Sequence, residues 1–108
     1  MSAVTTHVLD SVRGAPADGV RVRLETADGE GIAVTNTDSD GRVRQLGPDR
    51  LDPGDYRLVL GTGEYFARRG QDTFYPEVTI TFRIANPEQH YHVPLLLSPF
   101  AYSTYRGS

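Results

Sequence analysis

Apolar and polar residues alternate with a period of two along much of this chain, which is the pattern of a β-strand with one buried face. The clearest run spans residues 78–84, where valine, isoleucine and phenylalanine alternate with threonine and arginine. Further candidate strands lie at 6–9, 20–26, 32–35, 56–60, 90–97 and 101–106. The periodicity therefore predicts a fold built mainly from strands.

Turn-forming residues separate these runs and keep the strands short. The clusters 14–19, 38–41 and 52–55 contain glycine with aspartate or proline, which favour tight turns. About eight short strands at close spacing predict an all-β sandwich. The segment 64–69, between Gly63 and Gly70, lacks the alternation and is predicted to form one short helix.

Length and composition limit the classes of protein to consider. With 108 residues, the chain is expected to form one domain over 1–108. Its net charge of −3 argues against a general affinity for nucleic acid. It has no cysteine, which excludes disulfides, thiolate metal ligands and a cysteine nucleophile. It has no lysine either, which excludes Schiff-base chemistry.

The expected location depends on whether the sequence contains a signal peptide or a membrane-spanning segment. Residues 1–10 contain no basic stretch followed by an apolar run, so no secretory signal peptide is recognised. No stretch approaches the ~20 apolar residues of a membrane helix. We therefore expect a cytoplasmic protein that does not enter a membrane.

A sandwich of this size restricts where a ligand can bind. Its two sheets would lie ~10 Å apart, and their facing side chains would fill the space between them. A site must then lie on an outer sheet face, at a sheet edge or between subunits. Because a single sheet face is flat and wet, a useful pocket suggests an assembly in which one subunit covers another.

Three histidines, His7, His90 and His92, are the main candidates for acid–base chemistry. An imidazole has a pKa of about 6.5 and can give or take a proton near neutral pH. His90 and His92 are two residues apart on a predicted strand, so their side chains share a face. By spacing alone, each is more often a surface or hydrogen-bonded residue than a catalyst. Together with His7, the pair could also bind zinc or copper.

Arg42 directly follows the acidic turn 38–41. The turn has some likeness to a calcium loop, but no glutamate follows at the EF-hand spacing and no flanking helices are evident. Arg42 could simply end a solvated loop. If it is functional, it would offer a fixed positive fork to a carbonyl oxygen or an anion.

The C-terminal run 98–108 is unusually rich in aromatic and hydroxyl side chains up to its last residue. Chain ends are usually frayed and place few demands on their sequence. The run could be an ordinary edge strand with a loose tail. Its composition instead makes it a candidate part of a site.

Four segments together resemble the 5-hydroxyisourate hydrolases, also called transthyretin-like proteins. They are 6–10 (Thr-His-Val-Leu-Asp), 37–42 (Thr-Asp-Ser-Asp-Gly-Arg), 90–99 (which begins His-Tyr-His-Val-Pro) and 102–108 (which ends Tyr-Arg-Gly-Ser). Their order and spacing extend over essentially the whole chain. Transthyretin itself shares the fold but lacks the His-x-His motif and this ending, so the resemblance favours an enzyme over a carrier.

The resemblance implies a transthyretin-like β-sandwich and a set of site residues. The residues implied in catalysis are His7, Arg42, His92 and Ser108. The residues implied in substrate binding are the same four together with Tyr105 and Arg106. His90 would lie beside the site without an assigned role. The resemblance also implies a homotetramer whose sites lie in the channel between dimers, which agrees with the need for a covering neighbour.

The activity implied is hydrolysis of 5-hydroxyisourate to 2-oxo-4-hydroxy-4-carboxy-5-ureidoimidazoline in urate breakdown. We expect water to be the nucleophile, with His92 and His7 accepting its proton and Arg42 stabilising the oxyanion. No metal or cofactor is expected, because the substrate is already an activated acyl compound. The main alternative is a transthyretin-type carrier of a small ligand without turnover. A metal-binding domain and a structural sandwich without a site are the remaining alternatives.

Overall fold

Two β-sheets face each other in the computed structural model, which describes residues 2–108. This part of the chain forms nine strands and one helix: β1 (Val4–Asp10), β2 (Ala15–Pro16), β3 (Arg21–Thr26), β4 (Gly31–Asn36), β5 (Arg42–Val43), β6 (Gly54–Leu60), α1 (Thr62–Arg68), β7 (Val78–Ile84), β8 (Tyr91–Ser98) and β9 (Ala101–Thr104). The first sheet has the order β2-β1-β8-β9, with β5 also paired to β1, and the second has the order β4-β3-β6-β7. The expected all-β sandwich with one short helix is confirmed.

The apolar side of each alternating run packs between the two sheets. Fully buried examples are Val8 of β1, Val22 and Leu24 of β3, Leu58 of β6 and Leu95 of β8. Burial of one such side chain contributes about 1.5–3 kcal/mol to folding. The intervening residues of the same strands point away from the core, and in the first sheet they form an outer face that a ligand can reach.

The first sheet is mixed, which the alternation does not reveal. Strand β1 runs parallel to β8 and antiparallel to β2 and β5. β2 and β5 have two residues each and are too short to be recognised by periodicity.

Within residues 2–108, no helix is long and apolar enough to span a bilayer.

Helix α1 begins earlier than the sequence indicates, because Gly63 lies inside it and does not precede it. A Cβ atom on Gly63 would lie 2.4 Å from the carbonyl oxygen of Pro76, so this position needs a glycine for close packing and not for a turn. The helix ends as predicted near Gly70, whose φ of +65° suits a helix terminus. Its N–H donates to the carbonyl oxygen of Ala67 at 3.0 Å.

The two strands that carry the C-terminal motifs differ from the prediction, since β8 is shifted by one residue along the chain and β9 is two residues shorter. β8 begins at Tyr91, which leaves His90 just outside the strand, and β9 ends at Thr104. Pro94 of β8 has no N–H to donate, so the ladder with β9 is interrupted there. The hydroxyl of Thr104 instead donates to the carbonyl oxygen of Pro94 at 2.7 Å.

Candidate active site

Strand register brings two histidines and an arginine to the outer face of the first sheet. His7 of β1 is the register partner of Arg42 in β5 and of Pro94 in β8. Thr5, two residues before His7, is the partner of His92. Side chains two residues apart on a strand share a face, so all of these lie on the side away from the core. The predicted residues His7, Arg42 and His92 are thus brought together.

A tight turn delivers Arg42 to this face. The Asp38 carboxylate accepts the backbone N–H groups of Asp40 at 2.8 Å and of Arg42 at 2.9 Å. These hydrogen bonds, chiefly the one from Arg42, lower the pKa of Asp38. Gly41 has a φ of +73°, and a Cβ there would lie 2.4 Å from a backbone oxygen of β1. The acidic run therefore forms a structural turn that fixes the position of the Arg42 backbone at the start of β5.

His7 is half-buried and held in one tautomer when neutral. Its Nε2 lies 3.0 Å from the carbonyl oxygen of Asp40. A carbonyl oxygen can only accept, so Nε2 carries the hydrogen and Nδ1 keeps a free lone pair. Burial, and then the positive charge of Arg42, lowers the pKa of His7. The ring is therefore mainly neutral at pH 7.

His92 is held through its Nδ1 atom. Nδ1 lies 2.8 Å from the hydroxyl oxygen of Thr5, which also lies 2.9 Å from Nε2 of His90. Burial lowers the pKa of His92, and the charge of Arg42 lowers it further. Within residues 2–108, Nε2 of His92 has no hydrogen-bond partner. Every buried side-chain nitrogen or oxygen in this part of the chain does have a partner. Nε2 is therefore not buried and is open to solvent.

The C-terminal segment returns to His92 beyond the interruption at Pro94. The N–H of Gly107 donates to the carbonyl oxygen of His92 at 2.8 Å, in the antiparallel register that β9 sets. A Cβ on Gly107 would lie 2.6 Å from Cδ2 of the His92 ring. This close approach places the terminal Ser108 beside the imidazole.

These side chains surround a cleft of about 470 Å³, a volume within the range of small-molecule sites. Its lining includes Thr5, Arg42, His90, His92, Tyr105 and Ser108. His7 does not line the cleft itself and adjoins it through its register partner Arg42. Within residues 2–108 the Arg42 guanidinium forms no ion pair, so its charge is free for a ligand.

Arg106 is a second predicted site residue that does not line this cleft. Its guanidinium lies over the Tyr91 ring, 4.5 Å from the centroid, and donates to the side-chain oxygen of Gln89 at 3.1 Å. It lines a separate, more apolar cleft of about 250 Å³ next to β7. Tyr105 lies between the two clefts and contributes to both.

The three histidines do not form the metal site considered from the sequence. His90 and His92 share the Thr5 hydroxyl, and His7 is bonded to a backbone carbonyl. Among residues 2–108, no group of three or more histidine, aspartate or glutamate side chains is arranged to hold a metal ion.

Comparison with known sequences shows which protein family the chain belongs to. The sequence model of a family described as Transthyretin: HIUase/Transthyretin family matches residues 4–107. The chain belongs to this family. The resemblance drawn from the four sequence motifs is therefore confirmed, and the matched span includes both histidine motifs and Arg42.

Proteins similar to this chain include 5-hydroxyisourate hydrolases and a transthyretin. The 5-hydroxyisourate hydrolase of Salmonella typhimurium is 48% identical over 109 residues, which cover 97% of this chain and 80% of the relative. The structure of Klebsiella pneumoniae 5-hydroxyisourate hydrolase superposes with a TM-score of 0.90 at 39% identity and covers 97% of this chain and 98% of its own. Sea bream transthyretin in complex with thyroxine superposes with a TM-score of 0.88 at 34% identity over 97% of this chain and 94% of its own.

Two residues of this site are not identified by reasoning from the sequence. Thr5 contacts two imidazoles, and Gly107 allows the chain end to pack against one of them. The alternation of β1 already places Thr5 on the same face as His7, which was the available signal. The role of Gly107 depends on the register between β8 and the segment after β9, and the sequence gives no local sign of it.

Proposed function

We propose that this chain hydrolyses 5-hydroxyisourate to 2-oxo-4-hydroxy-4-carboxy-5-ureidoimidazoline. The observation that carries the proposal is the arrangement of Arg42, His92 and Ser108 around one cleft, with His7 adjoining it. Two relatives with similar sequence or structure are named 5-hydroxyisourate hydrolases, which supports the same substrate here.

His92 acts as the general base in this proposal. Its pKa is lowered by burial and by Arg42, so the ring is neutral at pH 7 and can accept a proton. The accepting atom is Nε2, which has no hydrogen-bond partner within residues 2–108, while Nδ1 is held by Thr5. Proton transfer from water to a positioned base typically contributes 10²–10⁴-fold to the rate. Water is then the nucleophile, and no covalent intermediate with the protein is required.

Arg42 stabilises the negative charge that develops on the attacked carbonyl oxygen. Its guanidinium has no ion-pair partner within residues 2–108, and its backbone is fixed by the Asp38 turn. A donor that is already oriented needs no rearrangement as charge develops, which is the main benefit of such groups. His7, with its Nδ1 lone pair, lies on β1 between the strands that carry Arg42 and His92, and it supports the base from there.

Ser108 and Tyr105 bind the substrate ring and close the cleft. Both line the cleft beside His92, and Tyr105 is 58% exposed in the single chain. The exposed tyrosine therefore has contact area to give to a ligand or to a neighbouring subunit. Arg106 would join the substrate only if its stacking on Tyr91 were released.

The proposal includes a homotetramer with sites between dimers. The cleft lies on an open sheet face, and water reaches it in the single chain. Val12 in the turn after β1 is 68% exposed, and Phe100 in the turn after β8 is 65% exposed. Because β1 and β8 run parallel, these two apolar side chains lie at one end of the first sheet, where they favour contact with a second subunit. The proposal keeps the cytoplasmic location expected from the sequence and requires no metal or cofactor.

The alternative is a carrier that holds a small ligand without turnover, and the likeness to sea bream transthyretin with thyroxine gives it a basis. The lining favours catalysis, because a carrier of an aromatic ligand has no need for an unpaired arginine beside the neutral imidazole of His92. Binding of a stable ligand with no acceleration of hydrolysis would support the carrier.

The decisive experiment follows freshly generated 5-hydroxyisourate by ultraviolet absorbance with and without the protein. The substrate decays spontaneously, so the expected result is a decay rate that increases in proportion to protein concentration. His92→Ala should return the rate to the spontaneous value, while a matched exposed-site variant, Gln71→Ala, should keep it. No acceleration by the wild-type tetramer would overturn the proposal.

A further inference from the structure

One hydroxyl group lies between two imidazoles at the edge of the cleft. The Thr5 oxygen is 2.8 Å from Nδ1 of His92 and 2.9 Å from Nε2 of His90. Thr5 is buried, with 6% of its surface exposed, whereas His90 is exposed. The half-buried base His92 is therefore connected through the buried Thr5 side chain to a histidine in contact with solvent.

A hydroxyl has a single hydrogen, so it can donate to only one of the two rings. When both histidines are neutral, the other ring must then donate to the threonine oxygen. If Thr5 donates to His90, His92 carries its hydrogen on Nδ1 and presents a lone pair at Nε2. If Thr5 donates to His92, the hydrogen of His92 is on Nε2 and the ring cannot accept a proton there. The direction of these two hydrogen bonds thus decides whether His92 is a base.

We propose that Thr5 and His90 form a relay that sets the tautomer of His92, with Thr5 donating to His90 in the resting state. The inference rests on the proposed hydrolysis, in which His92 takes a proton from water at Nε2. Thr5 and His90 are positioning residues in this scheme, because they act on the substrate only through His92. The second ring nitrogen of a histidine is commonly fixed in this way by the partner of the first.

The relay also accounts for the proton during turnover. Water gives a proton to Nε2 of His92 as its oxygen bonds to the substrate carbonyl carbon. The hydrogen on Nδ1 moves to the Thr5 oxygen, and the original Thr5 hydrogen moves to Nε2 of His90. When the C–N bond breaks, the leaving nitrogen takes the proton from Nε2 of His92, and the two relay hydrogens move back. No proton is gained or lost by the three side chains over the cycle.

Nitrogen-15 NMR of histidine-labelled protein tests the resting state directly, because the two ring nitrogens give different shifts when protonated or bare. At about pH 8, where histidine is neutral, His92 should carry its hydrogen on Nδ1. His7 is an internal reference, since its bond to the Asp40 carbonyl requires the hydrogen on Nε2. A wild-type His92 with its hydrogen on Nε2 would overturn the proposal.

Thr5→Val keeps the shape of the side chain and removes the hydroxyl, and Thr5→Ser is the matched control that retains it. In Thr5→Val, His92 should lose its Nδ1–H preference, and kcat should fall about 10–100-fold, the effect of losing the orienting partner of a functional histidine. KM should change little, because Thr5 does not bind the reacting atoms. Thr5→Ser should restore both the tautomer and most of kcat. An unchanged His92 tautomer in Thr5→Val contradicts the relay.

His90→Gln separates the relay from simple orientation. The amide can accept the Thr5 hydrogen and keep the His92 tautomer, but it cannot take up a proton. The expected result is an unchanged His92 spectrum with a lowered kcat, and a wild-type kcat would overturn the relay. The spectra are recorded without substrate. If the wild-type protein failed to hydrolyse 5-hydroxyisourate, the proposed function would fail while the tautomer assignment would still be decided.

Discussion

Gly107 packs directly against the imidazole of His92. Its N–H donates to the His92 carbonyl oxygen at 2.8 Å, and a Cβ at this position would lie 2.6 Å from Cδ2 of the ring. The chain end therefore packs so closely against the proposed base that position 107 has no room for a side chain. This contact makes the orientation of the ring sensitive to a residue that itself carries no chemistry.

Gly107→Ala should consequently lower kcat by about 10–100-fold, since small displacements of a catalytic group have effects of this size. The added methyl must push away either the His92 ring or the terminal segment. The folded state should keep its thermal midpoint, because Gly107 lies near the chain end. Steady-state kinetics and calorimetry check both parts, with Ser103→Ala in exposed β9 as the control. Wild-type kcat in Gly107→Ala would show that the packing is not tight.

The lowered pKa of His92 predicts how activity depends on pH. A base works only when neutral, so kcat/KM should rise with pH through an inflection below the usual histidine value of about 6.5. Arg42→Gln removes a positive neighbour and should move the His92 pKa upward. Proton NMR titration of the ring measures it, with Arg21→Gln on the second sheet as the control. A downward shift in Arg42→Gln would contradict the assigned cause.

The same shifts predict how stability depends on pH. The pKa values of His7 and His92 are lower in the folded state than in the unfolded chain. Between the folded-state and the unfolded-state pKa of each ring, the unfolded chain therefore binds more protons than the folded protein. Stability should therefore fall as the pH is lowered through about 6.5. Urea unfolding at a series of pH values measures this. Replacing both rings, in His7→Asn with His92→Asn, should reduce the slope in that window, and an unchanged slope would assign it to other groups.

Arg42→Lys keeps the positive charge but loses the planar fork, so it should still damage catalysis. We expect kcat to fall about 10²-fold, the loss seen when a donor to a developing oxyanion is removed. Arg21→Lys, an exposed arginine on β3, is the matched control and should leave kcat unchanged. The Arg42 assignment fails if the two lysine variants turn over equally fast.

Removal of residues 105–108 should abolish activity while the sandwich stays folded. The segment lies beyond β9, and Tyr105 and Ser108 line the cleft, whereas the core residues all precede it. Circular dichroism and the absorbance assay measure fold and activity, and sedimentation measures the size of the assembly. Full activity in a tetrameric truncation would remove the chain end from the mechanism.

Local sequence patterns could predict most of the strands and the approximate place of the helix. The alternation in β3, β6 and β7 identifies buried faces because one side of each strand must leave water. The same rule puts His7 and Leu9 on one side of β1. It fails for β2 and β5, since two residues cannot show a period.

The sequence motifs of this chain determined its family, and they predict His7, Arg42, His92 and Ser108 as site residues. The tertiary structure alone decided which of them meet. Only the parallel pairing of β1 with β8 sets Thr5 opposite His92, and only the missing N–H of Pro94 interrupts the last ladder before Gly107 resumes it. The stacking of the Arg106 guanidinium on the Tyr91 ring is likewise a matter of tertiary packing. Pairings between segments tens of residues apart depend on register and packing, which no local pattern specifies.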